Sequence, residues 1–334
     1  MENPRFVLEH LEPAEHRSSF AEDVKEGLTA EPKALQPKYF YDELGSLLFE
    51  AICLLPEYYV TRAEAEILER HADEMAATLG PVTRVLELGS GTAKKTRHLL
   101  AALLDGQATL EYVPVDISAT AIESSAADLL TDFPGLTIHA LVSDYPGALA
   151  AFGRHAAAGP GPTLALFLGS TLGNLDPAAQ LALLTAIRAV LVPGDHLLLG
   201  VDLDKSEAIL LPAYDDPLGV TAAFNKNLLL RINRELGADF DLDAFAHRVR
   251  YLSQPARIEM HLESRQDQTV TLAALGRLEV TFRRGETLFT EASHKFDTAS
   301  VGHLAAAAGF RLERTWTDRK GCFASILLGC EKDP

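Results

Sequence analysis

The sequence predicts an α/β fold built around a parallel β-sheet. Between residues 83 and 202, short apolar runs alternate with helix-like segments. This alternation is typical of a parallel sheet that carries helices on both of its faces. The alternation stops near residue 204, after which several strand-like runs follow one another. We therefore predict a second, α+β domain in addition to the α/β domain.

The elements of the α/β part follow from the apolar runs and from the residues that bound them. The predicted strands are 83–88, 110–116, 136–142, 162–168 and 195–202. The predicted helices lie near 92–104, 118–131 and 177–191. Ser118 and Asp176 are suitable N-cap residues, because their side-chain oxygens can accept from N–H groups of the first helical turn. Pro177 suits a first helical position, where its missing N–H costs no hydrogen bond.

In the remainder of the chain the predicted type of secondary structure changes twice. Residues 205–236 are predicted to be mostly helical, and an antiparallel unit is predicted after them, with strands near 246–252, 256–265, 269–275, 278–283 and 287–293. A helix at 297–308 and two apolar runs, 310–317 and 322–330, follow. We predict that the last two runs form a hairpin that returns to the first sheet.

The composition narrows the classes of partner. The formal net charge of −17 argues against nucleic acid and anionic membranes, because both bind clustered Lys and Arg. The cysteines, Cys53, Cys322 and Cys330, form no C-x-x-C pair, and the histidines form no metal-binding motif. We expect a cytoplasmic monomer without a metal, a signal peptide or a membrane span, since no apolar run approaches the ~20 residues that a span needs.

The most informative segment is 83–97, TRVLELGSGTAKKTR. A short apolar strand contains Glu87, and Gly89, Ser90 and Gly91 then lead into a helix. Glycine adopts positive φ without strain and lets a ligand approach the backbone. The first N–H groups of the helix are available to the same ligand. The alternative is a tight turn that binds nothing, since a lone G-x-G is a weak signal.

The positions of the acidic residues favour S-adenosylmethionine over a nicotinamide nucleotide. The third glycine of the dinucleotide fingerprint is absent, and Lys94 stands there. Glu87 precedes the glycines, where a carboxylate suits the α-amino group and sulfonium of S-adenosylmethionine. Asp116, followed by Ile117, ends the next apolar run, where a carboxylate accepts from both ribose hydroxyls. A nicotinamide oxidoreductase and a non-catalytic binding protein are the alternatives.

Two further loops follow strands of the same predicted sheet. Asp144 and Tyr145 follow the third strand, where an acid can accept from the adenine amino group and a tyrosine can cover the ring. A surface turn is the alternative. Residues 167–174, FLGSTLGN, follow the fourth strand and include Gly169 and Asn174. Ligands bind at the carboxyl ends of strands in open α/β sheets, so we expect this loop to bind one, rather than to be only a tight loop.

Polar groups outside the α/β part indicate a small polar ligand. Four of the eight tyrosines fall within residues 39–59 and offer stacking faces and hydroxyl groups. Packing between elements is the alternative. Glu291 and Ser293 alternate along a late strand and therefore point to one face. If that face is buried, the carboxylate needs a partner, and if it is exposed, the pair has no special role.

Six strings of the sequence, taken in order, resemble the ergothioneine-pathway histidine Nα-methyltransferases. They are PKYFYDELGSLLFE, LPEYYVTRAE, LELGSGTAKKTR, FLGSTLGN, AYDDPLGVTAAFN and TEASHKF. The resemblance covers nearly the whole chain, and the combination is specific although no single string is. It implies a Rossmann-like class I methyltransferase sheet of seven strands, formed by 61–202 and 295–334. It also implies a substrate-binding domain formed by 1–60 and 203–294.

The same resemblance implies roles for the matching residues. S-adenosylmethionine is expected to contact Glu87, Gly89, Ser90, Gly91, Lys95, Asp116, Ile117, Asp144 and Tyr145. L-Histidine and its mono- and dimethylated forms are expected to bind at Tyr39, Tyr59, Gly169, Asn174, Tyr214, Thr221, Met260, Glu291 and Ser293.

Three of these substrate-binding residues, Tyr59, Asn174 and Tyr214, are expected to hold the amino-acid end as catalytic residues, and Glu291 and Ser293 to bind the imidazole. A fungal branch of the family methylates a prenylated tryptophan amine, so a tryptophan derivative is the alternative substrate. The polar pair Glu291 and Ser293 favours imidazole over indole.

Overall fold

A computed structural model describes residues 4–11, 19–156 and 161–330, without the side chains of residues 155 and 156. The described residues form two compact units. The first unit contains 4–11, 62–156, 161–203 and 296–330, and the second contains 19–61 and 204–295. Within these residues, no helix is both long and apolar enough to cross a membrane.

The strands of the described residues, in chain order, are β1 (Phe6–His10), β2 (Arg84–Leu88), β3 (Leu110–Asp116), β4 (Leu136–Val142), β5 (Thr163–Phe167), β6 (His196–Asp202), β7 (Phe245–Ser253), β8 (Ala256–Ser264), β9 (Gln268–Leu272), β10 (Leu278–Phe282), β11 (Thr287–His294), β12 (Phe310–Thr317) and β13 (Phe323–Cys330). The α-helices are α1 (Phe20–Thr29), α2 (Glu43–Leu54), α3 (Val60–Leu79), α4 (Thr96–Asp105), α5 (Ala119–Asp132), α6 (Tyr145–Ala156), α7 (Pro177–Val190), α8 (Glu207–Tyr214), α9 (Val220–Leu236) and α10 (Thr298–Ala307).

The first unit contains one eight-stranded sheet in the order β1-β4-β3-β2-β5-β6-β13-β12. The first six strands in this order are parallel to their neighbours, and β13 is antiparallel to both β6 and β12. The predicted parallel sheet and the predicted hairpin that returns to it are therefore confirmed. The strand order reverses between β2 and β5, which is where open α/β sheets bind their ligands.

Helices cover both faces of this sheet. Leu86 and Leu88 of β2 face a core to which α6, α7 and α10 contribute. Glu87, which points to the opposite face because side chains alternate along a strand, accepts a hydrogen bond from Thr96 of α4. Ser118 and Asp176 cap α5 and α7 as predicted, each accepting from a backbone N–H of the first turn.

The sheet has one strand more than the seven expected. Phe6–His10 adds to the edge of β4 in parallel, with Phe6 opposite Ile138. The side chain of Arg5 anchors this segment by donating to the carbonyl oxygens of Leu130 at 2.8 Å and Phe133 at 3.0 Å. The assignment of residues 1–60 as a whole to the second domain is thus corrected, because Phe6–His10 belong to the large sheet.

The second unit contains a three-stranded antiparallel sheet, in the order β11-β8-β7, and a two-stranded sheet of β9 and β10. Its core packs α9 and α8 against β8 and β11 and includes the stacked rings of Phe40 and Phe224, 4.6 Å apart. The five strands predicted here are confirmed to within a few residues. The third ends at Leu272 rather than at 275, because residues 273–275 form a 3-10 turn.

Four helices, α1, α2, α3 and α6, are present where the sequence analysis assigned none. For α6 the reason is local: Asp144, Tyr145 and Pro146 resemble a surface turn. Pro146 instead occupies the first turn of the helix, where proline is tolerated. The helix predicted from residue 92 begins at Thr96, because Ala93 has a φ of 50° and cannot continue a helix.

Two helical glycines provide a test of packing. A Cβ on Gly45 in α2 would lie 1.7 Å from the carbonyl oxygen of Phe40, whereas on Gly302 in α10 the nearest atom is 3.9 Å away. We expect Gly45→Ala to destabilise the second unit by about 1–3 kcal/mol through overpacking. Gly302→Ala, the matched control, should be neutral or stabilise by about 0.4–1 kcal/mol. Scanning calorimetry measures both, and equal effects would contradict the packing described for Gly45.

Candidate active site

The glycine loop after β2 packs against the next strand and α6. Gly89 has a φ of 73° and donates its N–H to the carbonyl oxygen of Val115 at 2.8 Å. A Cβ at Gly89 would lie only 2.9 Å from the Tyr145 hydroxyl. Gly91 has a φ of 50°, and apart from Gly91 and its two chain neighbours no described residue has an atom within 4 Å of where its Cβ would be. The loop is therefore tight against Tyr145 and open at Gly91.

The carboxylate of Asp116 holds this loop at the end of β3. One oxygen accepts the N–H of Gly91 at 2.9 Å, and the other accepts the N–H of Ser118 at 3.0 Å. Each carboxylate oxygen has two lone pairs, so both can still accept from a ligand hydroxyl. Ile117, the next residue, is 59% exposed. The structure thus brings the predicted cofactor residues Gly89, Gly91 and Asp116 together.

Asp144 and Tyr145 begin α6 beside the same loop. Asp144 accepts the N–H of Gly147 at 2.9 Å, as a helix-capping residue does. The ring of Tyr145 packs edge-on against Phe167, with centroids 5.5 Å apart. Burial raises the pKa of Tyr145 well above its ordinary value, so its hydroxyl stays protonated at neutral pH. Contact of these residues with adenine stays a prediction.

Glu87 faces the interior of the first unit. It is 3% exposed, and its two oxygens accept from Thr96 Oγ1, at 2.6 Å, and from the hydroxyl of Tyr112. Burial raises the pKa of Glu87 to about 7, against the opposing effect of these two hydrogen bonds. Ser90, its neighbour in the loop, is also buried. Both oxygens of Glu87 therefore have partners within the protein, and its direct contact with the cofactor stays a prediction.

Lys95 and Gly169 share a partner that the sequence analysis missed. Glu64 of α3 is fully buried and forms an ion pair with the Lys95 ammonium. The N–H of Gly169 donates to both oxygens of the same carboxylate, at 2.8 and 3.0 Å. Glu64 stands in a helix rich in acidic residues, and no local pattern distinguishes it from its neighbours.

The loop after β5 is fixed by backbone geometry. Gly169 and Ser170 have φ values of 77° and 58°, and the hydroxyl oxygen of Ser170 accepts the N–H of Asp202 at 2.9 Å. Residues 171–174 form a 3-10 turn that ends at the half-buried Asn174. The predicted ligand loop is thus held to β6 at its start. The role of Asn174 stays a prediction.

In the second unit, two predicted substrate residues meet at a buried lysine. The hydroxyl groups of Tyr214 and Ser293 lie 2.8 Å apart. Lys295, which is 6% exposed, donates to the first at 2.7 Å and to the second at 2.9 Å. Because an ammonium only donates, neither hydroxyl proton can point towards it. Lys295 was missed by the sequence analysis, in which a lysine near the end of a strand carries no signal.

Glu291 and Met260 lie beside this cluster on the same sheet face. They are directly opposite in the β11–β8 register, next to an irregularity between Phe289 and Glu291. Glu291 is 8% exposed, and burial raises its pKa to about 7, while the positive charge of Lys295 opposes that shift. The exposed-face alternative for Glu291 and Ser293 is therefore wrong. The structure brings Met260, Glu291 and Ser293 together with Tyr214.

His247, which the sequence analysis also missed, holds the backbone of Tyr214. Asn225 Nδ2 donates to Nδ1 of His247 at 2.9 Å, so Nε2 carries the proton and donates to the Tyr214 carbonyl at 2.8 Å. Burial lowers the pKa of His247, which keeps this tautomer neutral.

Three more predicted substrate residues of the second unit have partners outside this cluster. The Tyr59 hydroxyl accepts from Lys205 Nζ at 2.7 Å. Tyr39 donates to Asp23 at 2.6 Å. The buried Thr221 donates its N–H to Asp216 Oδ1 at 2.7 Å. Their contact with a substrate stays a prediction.

The sheet order and the loops at its reversal point define the first unit as an open α/β domain with a ligand crevice between β2 and β5. A model of the family described as "Histidine-specific methyltransferase, SAM-dependent" matches residues 20–330. The chain belongs to this family, and the family predicted from the six strings is confirmed.

Three relatives whose names refer to histidine methylation or to ergothioneine biosynthesis agree with this membership. The histidine N-alpha-methyltransferase of Mycolicibacterium smegmatis is 48% identical over 308 residues, which cover 91% of this chain and 93% of that protein. The protein of the same name from Mycobacterium tuberculosis is 46% identical over 321 residues, covering 96% and 98%. Ergothioneine biosynthesis protein 1 of Neurospora crassa is 33% identical over 210 residues, 62% of this chain but 23% of that longer protein.

Because Glu87 is buried, the free energy of unfolding should depend on pH, and the Glu87→Gln variant isolates this dependence. The folded protein keeps the Glu87 proton up to about pH 7, whereas the ordinary value is 4.5. Raising the pH through this window therefore destabilises the wild type relative to Glu87→Gln. The difference between their unfolding free energies should change by about 3 kcal/mol across the window.

Urea unfolding followed by the fluorescence of Trp316, the single tryptophan, measures this difference at pH 4.5 and 8. Glu123→Gln, at an exposed position of α5, is the control and should follow the wild type at both pH values. Parallel behaviour of the wild type and Glu87→Gln would contradict the raised pKa.

Proposed function

We propose that this protein transfers methyl groups from S-adenosylmethionine to the α-amino nitrogen of L-histidine. The product is the trimethylated betaine hercynine, and the pathway is ergothioneine biosynthesis. The observation that carries the proposal is the family match over residues 20–330. The relatives named for histidine Nα-methylation and for ergothioneine biosynthesis support it.

The first unit supports the methyl donor. Gly89 leaves no room for a side chain beside Tyr145, and Gly91 opens a path to the backbone. Asp116, at the end of β3, offers a carboxylate to the ribose hydroxyls, as in other nucleotide-binding α/β proteins. These residues fit S-adenosylmethionine, which supplies an electrophilic methyl group on a sulfonium. No metal-ligand cluster is present among the described residues.

The second unit supports an imidazole as the recognised ring. A neutral imidazole has one N–H donor and one bare nitrogen that accepts. The carboxylate of Glu291 is able to accept a hydrogen bond, and the Tyr214–Ser293 pair has a hydroxyl proton directed away from Lys295. An indole has a single N–H and no nitrogen acceptor, so it would use only half of these groups. This pairing favours histidine over the alternative tryptophan derivative.

The methyl transfer requires the protein mainly to position the two reactants. The amine lone pair forms the new N–C bond as the S–C bond breaks, the bond electrons go to sulfur, and the nitrogen then loses a proton before the next transfer. Holding the reactants in line can supply roughly 7–11 kcal/mol of the barrier. We assign this positioning to Asn174, Tyr59 and Tyr214, and imidazole recognition to Glu291 and Ser293. Further contacts with histidine are assigned to Tyr39, Gly169, Thr221 and Met260.

The proposed location is the cytoplasm, with a small-molecule substrate and a monomeric protein. Cys53, Cys322 and Cys330 form no disulfide, which supports a reducing compartment. The net charge of −17 supports the proposal that nucleic acid is not a partner.

Replacing Glu291 by alanine should damage substrate recognition selectively. The change removes an acceptor from the imidazole N–H, which is worth about 1.5–3 kcal/mol for a charged partner, or roughly 10- to 150-fold in KM. We expect the KM for histidine to rise by that factor, while the Kd for S-adenosylmethionine stays at its wild-type value. Steady-state kinetics and calorimetry measure the two quantities.

Glu263→Ala is the matched control for this change. Glu263 lies on the neighbouring strand β8 and pairs with Arg248 at the surface. Its removal should leave both constants unchanged. Equal losses of histidine and S-adenosylmethionine affinity in Glu291→Ala would refute the assigned role.

The product identifies the reaction. Incubation with histidine and S-adenosylmethionine should add three methyl groups, all on the α-nitrogen, because recognition of the ring keeps its nitrogens occupied. Tandem mass spectrometry locates the methyl groups. Methylation of a ring nitrogen, or a clear preference for tryptophan in parallel assays, would overturn the proposed substrate. NAD binding in place of S-adenosylmethionine would overturn the reaction class.

A further inference from the structure

Glu64 is a fully buried charged side chain of the first unit that the mechanism above does not use. Its carboxylate pairs with the Lys95 ammonium and accepts the Gly169 N–H at 2.8 and 3.0 Å. An ionised carboxylate without such partners is very costly to bury. These contacts therefore hold the carboxylate, and the two groups that bond it, in one arrangement.

The two partners belong to loops at the point where the strand order reverses. Lys95 follows β2 and Gly169 follows β5, and these strands pair in parallel with Val85 opposite Leu164. The sheet extends from this pair on both sides, with β3 and β4 beyond β2 and β6 beyond β5. The carboxyl ends of β2 and β5 therefore border the ligand crevice. The Glu64 carboxylate, which comes from α3, thus fixes both loops that border the crevice.

Gly200 in the middle of β6 is an independent sign that this position matters. A Cβ there would lie 2.1 Å from Glu64 Oε1 and 3.2 Å from the ring of Phe323. Glycine weakens a strand interior, and its φ here is not among the positive values. The missing side chain is explained by the space that the Glu64 carboxylate occupies.

We propose that Glu64 is a positioning residue for the methyl donor: it holds the Lys95 ammonium and the Gly169 amide where the amino-acid end of S-adenosylmethionine binds. This inference rests on the proposed function. The α-carboxylate is the anionic group of that ligand, and an ammonium has three N–H donors, of which Glu64 uses one. With S-adenosylmethionine bound, Lys95 would therefore have two carboxylate partners, Glu64 and the α-carboxylate of the ligand.

A double-mutant cycle on cofactor affinity tests the proposal. Calorimetry measures the Kd for S-adenosylmethionine of the wild type, Glu64→Gln, Lys95→Met and the double variant. We expect each single change to weaken binding about tenfold. The double variant should lose less affinity than the two single losses combined, because Glu64 acts in part through Lys95.

Two controls separate positioning from general damage. Glu66→Gln lies two residues further along α3, where its carboxylate pairs with Arg70 and Arg319, and it should bind S-adenosylmethionine like the wild type. The KM for histidine of Glu64→Gln, measured at saturating S-adenosylmethionine, should rise by a smaller factor than the Kd for S-adenosylmethionine, because Glu64 pairs directly with Lys95 and reaches the predicted histidine residues only through Gly169. A merely structural loss would change both constants by similar factors.

Gly200→Ala tests the position of the Glu64 carboxylate without removing a charge. Its methyl group must displace the Glu64 carboxylate, so it should weaken S-adenosylmethionine binding as Glu64→Gln does. If Glu64→Gln does not fold by circular dichroism, Glu64→Asp replaces it, since the charge is kept and the side chain is one methylene shorter.

The proposal would be overturned if folded Glu64 variants bind S-adenosylmethionine with wild-type affinity, or if the losses in the cycle are strictly additive. It would also be overturned if Glu64→Gln, Glu64→Asp and Gly200→Ala all fail to fold. The wild-type arm tests the proposed function separately. A wild type that binds S-adenosylmethionine but methylates another amine would overturn the substrate and leave the Glu64 comparison intact. A wild type that does not bind S-adenosylmethionine would overturn both.

Discussion

Burial of carboxylates is the constraint on which both units depend. Glu64, Glu87 and Glu291 are at most 8% exposed, and each must be compensated by groups brought from elsewhere in the chain. Glu64 has a full positive charge and a backbone amide, whereas Glu87 has two hydroxyl donors. Burial raises the pKa values of Glu87 and Glu291 to about 7, and the hydrogen bonds of Glu87 and the positive charge of Lys295 near Glu291 oppose that rise only in part.

Compensation of this kind fixes the geometry of each unit before any ligand binds. In the first unit, the partners of Glu64 and Asp116 are backbone groups of the loops themselves, so satisfying the acids also shapes the proposed cofactor site. In the second unit, Lys295 determines the direction of the hydroxyl groups on Tyr214 and Ser293. Groups that are held in place do not have to reorganise when a reaction begins, which favours catalysis by positioning.

The sequence was sufficient for the parts whose signals are local. Strands β2 to β6 were placed within about one residue, because they are apolar runs bounded by turn residues. The glycine loop and Asp116 were found from the same local pattern. The resemblance supplied Glu291 and Ser293, which alternation alone left as either buried or exposed.

The missed residues depend on contacts distant in sequence. Glu64 meets Lys95 and Gly169 only after α3 packs on the sheet, and nothing in its own helix distinguishes it from Glu66. Lys295 lies just beyond β11, where a lysine ordinarily reaches solvent. The edge strand Phe6–His10 is five residues long and partly exposed, so its apolar pattern is weak.

Gly89 and Gly200 illustrate the difference between local signals and contacts that are distant in sequence. Gly89 is required by a positive φ, a backbone property that a strand-to-helix turn makes visible in the sequence. Gly200 is required by a carboxylate that belongs to a residue far away along the chain, so its own neighbours carry no sign of it. An acid at position 64 and the absence of a side chain at position 200 are thus one constraint, expressed at two places. Loop positions in this fold are set by such paired requirements as much as by the loop sequences themselves.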